Sequence, residues 1–196
     1  MNDLLCTDSK LEHQLICARN RGLLLIEHIK MRNLIQAGCE TRKVQKAIYE
    51  LAAQILYPVA QKPRFWHRQI LRVGEDTINP YSVKVRNHVI KAGDIVFFDL
   101  GPVLNIQVNS LFRMEADLGR SMIVPSPNID PDKVKICNDC ERIFLEGKAY
   151  YLQNQDMTGK DLYEYIQHSA RESGWKLSSQ SHSGHLSKSS LKNSGM

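Results

Sequence analysis

Residues 95–100, IVFFDL, constrain the fold more than any other part of the chain. In a β-strand successive side chains point to opposite faces of the sheet. This run is apolar at both parities, so the sequence predicts a strand covered on both faces. It ends in an acid, Asp99. A second segment, EADLGRSMIV at 115–124, predicts a partner strand, closed by the proline-rich PSPNIDP at 125–131. It carries its own acid, Asp117. Phe97, Asp99 and Gly101 would share one face of the first strand. Glu115, Asp117 and Gly119 would share one face of the second.

The flanking sequence is helical in pattern. Leu11, Leu15, Leu23, Ile26, Ile29 or Lys30, and Leu34 recur at helical spacing across 8–37, with Gly38 as a stop. A second helix fits 42–56, capped by Thr41, striped by Val44, Ala47, Ile48, Leu51 and Ile55, and ended by Pro58. Residues 64–78 mix aromatic and β-branched residues and break at Gly74; a loop spans 79–87. After the two strands come a helix at about 132–153 and another that a Thr158/Asp161 capping box opens and Gly174 closes. The order predicts an α+β fold, a mainly antiparallel sheet covered by helices. It is expected to occupy residues 1–177 as one domain. Residues 178–196 are serine-rich, with little to bury, and predict a disordered tail.

Bulk properties exclude several classes. Hydrophobic residues make up 42% and charged residues 24% of the 196, an ordinary balance for a globular chain. No apolar run approaches the roughly 20 residues that span a bilayer. The N-terminus lacks a signal-peptide core, so a cytoplasmic address and no membrane partner are expected. Net charge is +5, with a modest concentration of basic residues from Lys62 to Lys91. No basic block interleaves with aromatics, so no nucleic-acid partner is expected. The five cysteines are irregularly spaced, as in a reducing compartment. Cys137 and Cys140 form a single CxxC inside a helical pattern, where positions i and i+3 simply share a face.

A carboxylate at the end of a buried strand must be offset by hydrogen bonds, a partner charge or a metal. Two acids on paired strands repel, and a divalent cation between them removes the conflict. Carboxylates with a histidine suit manganese, cobalt, zinc or iron. The plainer alternative has Asp99 in a turn, since DLGP is good turn chemistry, and Asp117 paired with Arg113 or Arg120.

Five stretches in order, RFWHRQILRVGEDT (64–77), AGDIVFFDLGPV (92–103), EADLGRSMIV (115–124), GKDLYEYIQHSARESGWKL (159–177) and SGHL (183–186), together resemble the pita-bread metallopeptidases. That family includes Xaa-Pro aminopeptidase, prolidase, methionine aminopeptidase and the non-peptidase creatinase. The resemblance implies a hydrolase of peptide bonds, of Xaa-Pro or N-terminal residue type, with a dinuclear centre of two divalent ions and a peptide as substrate. A homodimer is common among such relatives. Carried over by motif, the resemblance makes Asp99 and Asp117 bridging metal ligands and His185 the histidine ligand. His67, in FWH, is a candidate for substrate contact or proton transfer; its plainer reading is a loop histidine stacked on Trp66 or Phe65. His88 could fill the same role. His168, on a helix beside acids, is expected to face solvent, and His182 lies in the serine-rich tail.

The chain departs from that pattern twice. Asp99 and Asp117 lie 18 positions apart, further than the family holds them, with the surplus inside NIQVNSLFRM (105–114). LNIQV and LFRME could pair as a longer hairpin around Asn109–Ser110, provided the turn keeps both acids on one face. The family also places two glutamate ligands beyond its histidine, and LSKSSLKNSGM after His185 has none. The sequence thus predicts a pita-bread sheet incomplete at its C-terminus. Its second reading is an inactive, truncated homologue, at most a binding or interaction module.

Overall fold

The computed structural model describes residues 2–57, 62–80, 82–105, 112–154, 156–178 and 189–191. Two helices come first, α1 (Asn2–Met31) and α2 (Thr41–Leu56). Strands β1 (Ile70–Val73), β2 (Ile95–Leu100), β3 (Val103–Asn105), β4 (Phe112–Glu115) and β5 (Leu118–Ile123) follow. Then come α3 (Pro131–Gln153), α4 (Gly159–Glu172) and β6 (Ser189–Leu191). All strand pairings are antiparallel, in two three-stranded sheets ordered β1-β2-β5 and β3-β4-β6. This is the α+β architecture that the sequence predicts. Within the serine-rich 178–196, the three residues of β6 pair with β4. No described helix is long and apolar enough to cross a membrane.

β2 alternates as its pattern requires. Val96, Phe98 and Leu100 are fully buried, while Ile95, Phe97 and Asp99 are half-buried on the other face. The buried face packs with Leu25, Ile26 and Ile29 of α1 and with Val44, Ile48, Leu51 and Ala52 of α2. The stripe on α1 is displaced from the predicted one: Leu15 is exposed, as is Lys30, and the contact runs through Ala18 and Gly22. A Cβ on Gly22 would lie 2.5 Å from Leu118 Cδ1 and 3.1 Å from Ala116 Cβ. Small residues, not large ones, let α1 lie against the backbone that carries Asp117.

Two helix ends also differ from the reading. α1 stops at Met31, well before Gly38. Asn33 takes the left-handed conformation (φ 47), Leu34 N donates to Ile29 O, and Asn33 N donates to Lys30 O. Asparagine supplies the positive φ that closes the helix. Thr41 is the first residue of α2, not its cap. The cap comes from Asn87, whose Oδ1 accepts from Arg42 N and Thr41 Oγ1. That bond ties the loop before β2 to the start of α2. Pro58 lies outside the described residues. The capping box of Thr158 and Asp161 is formed.

α3 packs on β5 and on α4. Their junction centres on Asp139, which accepts from Lys135 Nζ and Trp175 Nε1, both at 2.7 Å, and from Arg142. The hydrogen bond from Lys135, then that from Trp175, holds its carboxyl at about 2, below the ordinary 3.8. A depressed folded-state pKa stabilises above the unfolded value and is lost as pH falls through the folded one. Trp175 fluorescence should therefore shift to the red between about pH 4 and pH 2. Asp139→Asn should remove that transition.

Candidate metal centre

The two acids are aligned by one register. β2 pairs with β5 from Ile95↔Ile123 to Leu100↔Leu118, and β3 pairs with β4 from Val103↔Glu115 to Asn105↔Arg113. Both ladders follow one continuous register, interrupted only around Pro102. Ala116 N donates to Pro102 O at 3.0 Å, and proline has no N–H to return the bond. In this register Asp99 faces Gly119. Gly101 correspondingly falls opposite Asp117. The acids are therefore diagonal neighbours on one face, the face opposite the helices, and each has a glycine across the ladder. The tip of the hairpin, 106–111, lies outside the described residues. Its strands keep the parity that brings both acids to one side. Asp99 sits within a strand rather than a turn.

The third group comes from a bulge. Trp66 N donates to Gly101 O and Val103 N to Arg64 O, so residues 64–66 run antiparallel beside 101–103. Phe65 bridges Pro102 and Ile70 pairs with Asp99. Four residues on this strand thus oppose two on β2, and the surplus bends the chain and re-aims a side chain. That side chain is His67. Its Nε2 lies 3.8 Å from Asp99 Oδ1 and 3.9 Å from Asp117 Oδ1. The His67 side chain is 7% exposed, and the acids 24% and 17%. Nδ1 donates to Arg68 O at 2.8 Å, which turns Nε2 toward the acids. The edge of Trp66 meets the ring at 4.3 Å between centroids, interplanar angle 87°.

Gly101 leaves the space for this. A Cβ there would lie 2.3 Å from Trp66 Nε1 and 2.8 Å from His67 Nε2. Donor atoms of His67, Asp99 and Asp117 all lie within 4.8 Å of one another. Ligands at about 2.0–2.2 Å from an ion sit up to about 4.2 Å apart, so small side-chain shifts close this set around one cation. The donors are two carboxylates and an imidazole, and the like charges favour such an ion. Among the described residues this is the one such cluster.

Of the sequence-derived candidates, Asp99, Asp117 and His67 meet, whereas His88 does not join them: its Nε2 bonds Asp76 Oδ2 at 2.5 Å. His168 is exposed on α4. His185 and His182 lie outside the described residues. Cys137 and Cys140 sit on α3 with thiols pushed up by burial, the opposite of a reactive pair. The sequence reading did not foresee His67 as a potential ligand. It also passed over the repeated DLG at 99–101 and 117–119, whose antiparallel pairing sets each aspartate against a glycine.

An antiparallel sheet backed by two N-terminal helices, with acids on its open face, places the fold with the pita-bread proteins. The sequence profile of metallopeptidase family M24 matches residues 23–192, and the chain belongs to that family. Among solved structures it is similar to the X-Pro aminopeptidase from Thermotoga maritima MSB8, at 20% identity and TM-score 0.57, over 83% of this chain and 42% of that one. It is similar to the prolidase from Pyrococcus horikoshii OT3 at 22% identity and TM-score 0.55, over 82% and 42%. Dipeptidase PepE from Mycobacterium ulcerans matches at 15% identity and TM-score 0.57, over 82% and 39%. The chain thus spans about 40% of the length of these structures. A search of curated proteins returned no match.

Gly101→Ala should weaken divalent-metal affinity at least about tenfold, because the methyl displaces His67. Gly119→Ala, whose Cβ would meet only the Phe97 ring, 3.2 Å away, should lose much less. Calorimetric titration of both variants with zinc or manganese checks this.

Proposed function

We propose that this chain is a metal-dependent hydrolase of peptide bonds, acting at an N-terminal residue or an Xaa-Pro bond. The observation that carries the reading is the convergence of His67, Asp99 and Asp117 from two separate parts of the sheet. Membership of a metallopeptidase family supports the reaction class. The named activities of the X-Pro aminopeptidase and prolidase relatives support the substrate class.

Asp99 and Asp117 would hold the ion through carboxylate oxygens, and His67 through Nε2. Manganese, cobalt, zinc or iron suits this donor set. When bound, the ion supplies Lewis-acid polarisation of a carbonyl and lowers the pKa of water. Arg68 O fixes the His67 tautomer, and Trp66 fixes the ring plane. A dinuclear centre would need further donors, of which the resemblance offers His185.

A second reading is a metal-binding or interaction module without turnover. The small donor set among the described residues favours it. One experiment separates the two. The purified chain, stripped with chelator, is titrated with manganese or zinc and assayed on Xaa-Pro and Met-initiated peptides. Saturable metal binding with turnover is expected, with affinity reduced at least about tenfold in Asp99→Asn and in His67→Ala. Binding without turnover establishes the module. No saturable binding defeats the hydrolase and the metal-binding module and leaves the interaction module.

A further inference from the structure

The basic residues concentrated between Lys62 and Lys91 are not used by the acid cluster. Several of them converge on a separate cavity of about 120 Å³, bordered by β1, the start of α2 and residues 83–86. Arg42, Arg68, Arg72, Lys84 and Arg86 line it, and no acid does.

Arg72 sets the chemistry. It is only 4% exposed, a burial that a guanidinium tolerates only with partners. Its Nη2 donates to Pro80 O at 2.8 Å and Val83 O at 3.2 Å, which pins the planar group to the loop. Its buried Nη1 has no hydrogen-bond partner among the described residues. Gln69 Nε2, on the same lining, is also buried without one. Two side chains that each carry a buried donor with no partner among the described residues thus line a cavity with four further cations. Desolvated donors of this kind are satisfied by an acceptor from outside the protein.

We propose that this cavity binds a phosphate group. A fixed guanidinium fork matches phosphate oxygens. Five cations suit a doubly charged anion better than a carboxylate. The cavity, about 120 Å³ and open to solvent on one side, admits a phosphate group. Arg68 and Gln69 adjoin His67 in sequence, so the cavity lies along the strand that delivers His67 to the acids.

The test uses the full chain at low ionic strength, with chelator present throughout so that no metal contributes. Inorganic phosphate, glycerol phosphate, and vesicles of phosphatidic acid or phosphatidylcholine are titrated separately. One-to-one binding of phosphate or glycerol phosphate is expected, tighter than acetate at equal ionic strength. Arg72→Met should weaken it at least about tenfold. Lys84→Ala with Arg86→Ala, both exposed and tolerant of change, should weaken it as well and covers the case in which Arg72→Met does not fold. Asp99→Asn should leave it unchanged. Binding confined to phosphatidic acid vesicles, lost in the same variants, assigns the site to a lipid headgroup. Binding that is absent, that survives both basic-residue variants, or that disappears only in Asp99→Asn overturns the proposal.

Discussion

The repulsion between Asp99 and Asp117 is the constraint around which the open face of the sheet is arranged. One antiparallel register fixes them as diagonal neighbours, so they cannot separate without breaking the ladder between β2 and β5. Each is set against a glycine, which keeps the space between them clear of other side chains. On the opposite side the same strands present Val96, Phe98 and Leu100 to the core. The apolar face therefore holds rigid a polar face that electrostatics alone would push apart.

The support for this arrangement is made largely of small residues and missing hydrogen bonds. Gly22 and Ala18 let α1 press against the strand near Asp117. Pro102 interrupts the ladder beside the site, and residues 64–66 pair along the other edge of the same segment. The bulge between Phe65 and Ile70 then tips His67 over the gap. Each device removes bulk or a bond, and together they make room for a third donor from a different part of the chain.

Much of this was legible in the sequence, and the illegible part has physical reasons. The apolar run at 95–100 and the capping box at Thr158 identify themselves, because periodicity and cap chemistry are local. The pairing of two acids on one face followed from their parity and from motif resemblance. The end of α1 was misjudged because Asn33 takes the positive φ that the pattern assigned to Gly38. The cap of α2 is illegible because its acceptor, Asn87, is remote in sequence. The approach of His67 to both acids is illegible because a bulge cannot be read from side-chain alternation. Arg72 gives no signal at all: a charged residue in a short strand looks exposed until Pro80 and Val83 are seen to hold it.

The separations along the chain define two closures of unequal length. Asp99 and Asp117 belong to one hairpin and are 18 positions apart, whereas His67 must return across 32 to reach Asp99. Local contacts close at lower entropic cost than distant ones. The longer closure, which adds the imidazole, costs only about 0.5 kcal/mol more in chain entropy than the one that joins the acids, so a histidine from a distant segment completes the cluster at little expense.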